Sequence, residues 1–165
     1  MAEFWDVYDI NGNKLNKTIQ RGGKILLQDG EYHMGSAVFI IDENKNFLIQ
    51  QRSFSKNLLP GKWAITGGSA VAGENAEQCA IREVKEELGI KLTPADLKFL
   101  MIYTLPERHV IVNLFVAQKN HDIKYKIQKE ELEQAKWVSR QELIVMHKTE
   151  EFYQPLFYEI LEKIR

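Results

Sequence analysis

Cysteine is almost missing from this chain: the 165 residues hold only Cys79. No disulfide can form within the chain, and a reducing cytoplasm is the expected setting. Long apolar runs are missing too. The strongest, residues 37–41, is strand length, against the roughly 20 residues that a membrane-crossing helix needs. The first residues, Met1-Ala2-Glu3-Phe4-Trp5-Asp6, show no basic stretch followed by an apolar core, which argues against a secretory signal. Neither sign of charge dominates: 22 Lys and Arg face 23 Asp and Glu, for a net charge of −1. That balance offers no broad attraction to duplex nucleic acid or to an anionic membrane. Repeats and low-complexity linkers are also absent. A composition that is 44% hydrophobic can bury one substantial core, so a single domain spanning 1–165 is expected.

The elements follow from periodicity and turn residues. Residues 4–10 alternate as a strand does and end at Asn11-Gly12-Asn13, a strong turn signal. Residues 14–30 are polar and poorly periodic, and read as loop with a short strand or turn. Residues 32–41 and 46–52 are β-rich runs on either side of Asp42-Glu43-Asn44-Lys45, and so a hairpin. Residues 63–66 form a short strand after a loop over 53–62. A helical turn at 93–96 precedes a second hairpin of 97–104 and 109–118, and a short strand follows at 135–138. Ser139 caps a helix over 140–146, with Glu142 at the capping-box position. A last helix over 154–164 puts Leu156, Phe157, Ile160 and Leu161 on one face.

Residues 74–88 carry the densest information. Ala76, Ala80, Glu83, Lys85, Glu86, Glu87 and Leu88 favour a helix, and Gly89 sits where a left-handed cap would end it. Ala80, Ile81, Val84 and Leu88 form a stripe suited to packing on a sheet. Glu83, Glu86 and Glu87 stand at i, i+3 and i+4, so their carboxylates share the flank beside that stripe. Like charges at these spacings cost an isolated helix about 0.2–0.5 kcal/mol per pair. A hard divalent cation would offset that cost, since magnesium prefers carboxylate oxygens, and manganese suits the same oxygen-rich site. The competing reading is a solvated acidic face. The preceding loop favours the metal, because Gly67-Gly68 lets the backbone turn closely and can bring the Gly68 carbonyl towards the same ion.

From Gly68 through Glu74, Arg82-Glu83-Val84 and Glu86-Glu87 to Gly89-Ile90, the spacing resembles the Nudix box, the signature of enzymes that hydrolyse nucleoside diphosphates linked to another group. Every fixed position matches. The resemblance implies an α/β fold, a Nudix-type α/β/α sandwich with a mixed β-sheet. It also implies a Glu74–Arg82 ion pair that supports the loop without taking part in catalysis. Trp5-Asp6-Val7-Tyr8, Gly30-Glu31-Tyr32-His33, Leu48-Ile49-Gln50-Gln51-Arg52-Ser53 and Leu59-Pro60-Gly61 resemble the isopentenyl-diphosphate-isomerase-like branch. The true isomerase carries a catalytic cysteine just before the box glycine and a metal histidine just after it. Here those places hold Gly67 and Ser69, so hydrolysis is the expected reaction and isomerisation the alternative. His33 falls where the isomerase places one metal histidine. A non-hydrolytic binding domain is a further alternative, which an unbroken box disfavours.

The implied reaction is attack of water on a phosphorus of a diphosphate in a nucleotide or a related small nucleoside-diphosphate derivative. Mg²⁺, with Mn²⁺ as a possible substitute, would be held by Gly68, Glu83, Glu86 and Glu87. The general base is Glu86, Glu87 or a carboxylate from the loop before Trp137, where Glu131 resembles the acid that relatives carry. Arg52 is a candidate phosphate partner and Trp63 a candidate base-stacking residue. Tyr103, Arg108 and His109 lie on a hairpin that lines the pocket in many relatives, and Pro106 resembles a mark of ADP-ribose hydrolases. A monomer or homodimer is compatible with all of this.

Overall fold

The computed structural model describes residues 1–24 and 26–164. β1 (Phe4–Tyr8) and β2 (Lys14–Gln20) form a separate antiparallel ribbon. The expected loop after Gly12 is thus a seven-residue strand. Its side chains are exposed or half-buried apart from Ile19, so no apolar alternation marks it.

The main sheet is built around β3 (His33–Ile41). One edge of β3 runs parallel to β8 (Val110–Gln118) along its whole length, from His33 opposite Val110 to Ile41 opposite Gln118. The other edge is shared. β4 (Phe47–Arg52) pairs antiparallel only at Ile40 and Ile41, while β6 (Thr66–Ser69) takes Gly35 to Val38. β4 and β6 therefore part company, and the gap between them opens the cleft described below. The expected strand at 63–66 is split by the same geometry. β5 (Trp63–Ala64) stays with β4, the chain passes Ile65, and β6 begins against β3. β7 (Leu97–Leu105) borders β8, and β9 (Leu132–Val138) borders β4. With one parallel pair among antiparallel ones, the sheet is mixed.

Alternating side chains bury its two faces under different helices. Val38, Ile40 and Leu48 meet Ala80, Val84 and Leu88 of α1 (Ala76–Leu88). Ala37, Phe39, Ile41 and Leu114 meet Leu143 and Met146 of α2 (Arg140–Lys148) and Phe157, Ile160 and Leu161 of α3 (Phe157–Lys163). The result is the helix–sheet–helix sandwich. α3 begins later than its apolar pattern suggests. Pro155 disfavours helical backbone at Gln154, and Leu156 adopts φ 54°, so the helix opens at Phe157 and Leu156 stays exposed. Among the described residues no helix is long and apolar enough to cross a membrane.

α1 is capped at both ends. Asn75 and Gln78 form a reciprocal capping box, and Gly89, at φ 68°, donates its N–H to the Lys85 carbonyl. Two further carbonyls at this end are taken by the loop that leads to Glu131. Lys126 N–H donates to Leu88 O at 2.8 Å, and Gln128 N–H donates to Glu87 O at 2.9 Å.

Candidate active site

α1 and the β6 strand bring the sequence-predicted acids to one side of a cleft of about 590 Å³. Its lining includes Gly68, Arg82, Glu83, Glu86, Glu87 and Glu131 on the acidic side. Arg82 is the hub. Its Nε and Nη2 donate to the two oxygens of Glu74 at 2.7 and 3.0 Å, a bidentate pair. Nη2 also donates to the Ser69 carbonyl at 3.0 Å. Nη1 reaches Glu83 Oε1 at 2.8 Å and Glu86 Oε2 at 3.1 Å. Glu74, foremost among its acidic neighbours, drives the Arg82 pKa further above its ordinary value.

The three box carboxylates have unequal surroundings. Glu86 is about half exposed, at 52%. Burial raises the Glu83 pKa above the usual carboxylate value, Arg82 opposes the rise, and the Glu86 charge adds to it. Glu87 is only 6% exposed. Burial pushes its pKa up to about 8, against the hydrogen bond that Gln50 Nε2 donates to its Oε2 at 2.5 Å; Glu83 and Glu131 push the same way as burial. Gln50 is oriented in turn by Thr66, whose hydroxyl donates to Gln50 Oε1 at 2.8 Å. Gln50 occupies a buried slot on the α1 face of β4, and a glutamine at a position that the alternation assigns to the core was its signal. Glu131 lines the cleft in an ion pair with Lys56, a residue for which the sequence carried no signal.

Gly68 lies directly against Glu83. A Cβ at this position would stand 2.3 Å from Glu83 Oε1, so only glycine leaves the carboxylate where it is. The Gly68 carbonyl accepts a weak bond from the Cys79 thiol at 3.6 Å. Cys79 is fully buried, and burial pushes its pKa up to about 12, which makes it a packing residue and not a nucleophile.

Other candidates separate. Arg52 lines the cleft, with its Nε committed to the Leu58 carbonyl at 2.9 Å. Trp63 does not line it. The ring is buried in the core with Lys136 Nζ 4.4 Å from its centroid, which leaves no face for a stacked base. His109 sits at φ 50° with Nδ1 3.0 Å from the Glu31 carbonyl, and Pro106 opens the short turn before it. His33 stacks on Trp5 at 3.9 Å, and its Nδ1 donates to the Met34 carbonyl at 3.3 Å.

Burial pulls the His33 pKa down to about 4 from its ordinary 6.5. Its neutral form is the one that fits the fold. Above pH 6.5 both folded and unfolded chains leave it neutral, so its contribution is complete. As pH falls from 6.5 through 4 the unfolded chain takes up a proton that the fold resists, and stability drops. We expect this group alone to remove on the order of 3 kcal/mol over that window. Urea unfolding of wild type and His33→Gln from pH 7.5 to 4 will test this; equal slopes in both proteins would refute it.

As donors, these groups suit a hard cation. They are all oxygen, and the acids are crowded enough that the Glu86 charge raises the Glu83 pKa and the Glu83 charge raises that of Glu87. Among the described residues, however, no three acidic, histidine or cysteine side chains already converge as a ligand set. The reason is visible: Arg82 draws Glu83 and Glu86 to itself, and Gln50 holds Glu87.

Comparison with known proteins gives a consistent family. The model of the NUDIX domain matches residues 31–160. An uncharacterized Nudix hydrolase of Listeria monocytogenes is 34% identical over 157 residues, covering 94% of this chain and 90% of its own. An isopentenyl-diphosphate Delta-isomerase of Cereibacter sphaeroides is 32% identical over 122 residues, covering 70% of this chain and 68% of its own. A crystal structure from Deinococcus radiodurans shares the fold with a TM-score of 0.78 at 19% identity, covering 99% of this chain and all of the other. The chain belongs to the Nudix family and is a Nudix hydrolase.

Proposed function

We propose that this Nudix hydrolase cleaves the diphosphate linkage of a nucleotide or a small nucleoside-diphosphate derivative, with Mg²⁺ as cofactor and Mn²⁺ as a possible substitute. Glu83, Glu86, Glu87 and the Gly68 carbonyl are the groups that would hold the cation. When bound, such an ion neutralises phosphate oxygens and lowers the pKa of a nearby water. The observation that carries the reading is Glu87, a carboxylate kept almost wholly out of solvent yet lining an open cleft. A buried carboxyl with a pKa near 8 and acidic neighbours is poorly explained as solvated surface.

The chain's own residues supply the rest. Arg52 and Lys56 bring positive charge to the cleft wall and would pair with phosphate oxygens. Lys56 has a second effect, since its ion pair fixes Glu131 at the cleft. Glu131 is the carboxylate best suited to accept a proton from the attacking water. It keeps partial solvent contact, whereas Glu87 without a cation is largely protonated at neutral pH. Arg82 positions Glu83 and Glu86, and Glu74 positions Arg82.

Isomerisation has no support in the site. Gly67 and Ser69 flank the box glycine, and the sole thiol of the chain, Cys79, is sealed in the interior. The test is hydrolysis of nucleoside di- and triphosphates, sugar nucleotides and ADP-ribose, with and without Mg²⁺ or Mn²⁺, read by chromatography of the nucleotide products. Cation-dependent turnover of at least one of them is expected. Absence of hydrolysis across the panel with either ion would end the proposal.

A further inference from the structure

Away from its acidic side, the cleft ends in groups that no step above uses. Gly35, Val110, Val112 and Leu105 form an apolar floor there. A Cβ at Gly35 would stand 3.1 Å from Val110 Cγ2 and 3.2 Å from the Gly68 carbonyl oxygen, so glycine keeps the floor open between the two ends of the cleft. Over it stand Tyr103 and Gln154, both buried. Gln154 is 5% exposed, and its Nε2 donates to the Pro155 carbonyl at 3.1 Å and to Tyr103 Oη at 3.2 Å. A backbone carbonyl only accepts, which fixes the orientation of the amide. Both hydrogens of Nε2 are thereby taken. Gln154 Oε1 is left as an acceptor and the Tyr103 hydroxyl hydrogen as a donor, neither with a partner among the described residues. Beside them Arg108 lies over the Tyr153 ring at 5.2 Å and makes no ion pair among the described residues.

We propose that this end of the cleft is a nucleobase subsite, in which Gln154 Oε1 and the Tyr103 hydroxyl read adjacent donor and acceptor atoms on the edge of the base and the Arg108–Tyr153 pair flanks its ring. An apolar floor with one acceptor and one donor suits a flat heterocycle. A second phosphate would meet Arg108 but would also face Gln154 Oε1, an acceptor that an anion cannot satisfy. An isoprenoid chain fits no better, since it would strand two buried polar groups. The register gives the reach. Ser69 pairs with Gly35, Gly35 with Val112, and Val112 with Tyr103, so three strand spacings, roughly 14 Å, separate the acidic side from this end. That span fits a nucleoside carrying two phosphates. The other aromatic wall is already occupied: Trp5 stacks on His33 and carries Arg21, which is paired to Glu3 at 2.7 Å.

The inference rests on the nucleotide reading above, so its test avoids turnover. The binding of the four common nucleoside 5′-monophosphates and of ribose 5-phosphate, without metal, is measured by titration calorimetry. At least one nucleotide is expected to bind about tenfold more tightly than ribose 5-phosphate, and Tyr103→Phe and Gln154→Leu each to remove most of that margin. Tyr103→Phe keeps the packed ring, so it answers the question even if Gln154→Leu fails to fold. Nucleotides that bind no better than ribose 5-phosphate, or a margin intact in Tyr103→Phe, would overturn the subsite. If binding behaves as expected while the hydrolysis panel stays silent, only the hydrolytic reading falls.

Discussion

Glu87→Gln is expected to lower kcat by on the order of 10³-fold without lowering stability. The two outcomes have one cause. The fold holds Glu87 in its neutral form up to about pH 8, well above the usual carboxylate value. An unfolded chain releases that proton at much lower pH, so between the two values burial of this acid costs stability, and the cost grows as pH rises. Glutamine has the same shape, carries no proton to lose and still meets the Gln50 amide through its own carbonyl. Its melting temperature at pH 8 should equal or exceed that of wild type. Catalysis, in contrast, would lose the anionic oxygen that Glu87 presents once a cation draws off its proton, and no neighbour replaces it. Glu83→Gln should fall as far in rate. Turnover measurements and thermal melts on the same preparations decide the matter, and ordinary turnover in Glu87→Gln would remove this residue from the catalytic set.

Arg82→Met is the largest expected effect on the fold. Arg82 satisfies Glu74, Glu83, Glu86 and the Ser69 carbonyl at once, and it is only 25% exposed. Without it Glu74 and Glu83, at 17% and 15% exposure, remain as adjacent, poorly hydrated charges. Removing one member of such a network costs about 3 kcal/mol. For a chain of this size that is a fall in Tm of roughly 6–12 °C. Glu74→Gln, which leaves the other contacts of the guanidinium in place, should cost less. Calorimetric melts that differ by less than about 2 °C between wild type and Arg82→Met would show that solvent already screens these charges.

Much of this was legible beforehand. α1 announced itself through Ala80, Val84 and Leu88 on one stripe and Gly89 at the left-handed cap. The acids at positions 83, 86 and 87 share a flank, yet the fold treats them differently. Glu87 lies seven residues beyond Ala80 and three beyond Val84, so it continues the buried stripe, while Glu86 turns towards solvent. Helical spacing contained that distinction. The partition of one edge of β3 between β4 and β6 was not readable, because it depends on which strands meet and not on how any strand alternates. Lys56 and Gln154 escaped notice for a similar reason, as both sit on irregular segments whose positions the rest of the sheet decides. Trp63 misled because an aromatic near a glycine loop suits a ligand and a core equally well, and here the core claimed it.

The backbone bonds from Lys126 and Gln128 to the last turn of α1 have a mechanical meaning. They splice the segment that carries Glu131 onto the helix that carries Glu86 and Glu87, so neither can swing without tearing main-chain bonds from the other. Acids that arise more than forty residues apart in the chain therefore travel as one rigid jaw. The loop after β4 is tied to the same jaw, since Ser53 N–H donates to the Glu131 carbonyl at 2.8 Å and Lys56 pairs with the Glu131 side chain.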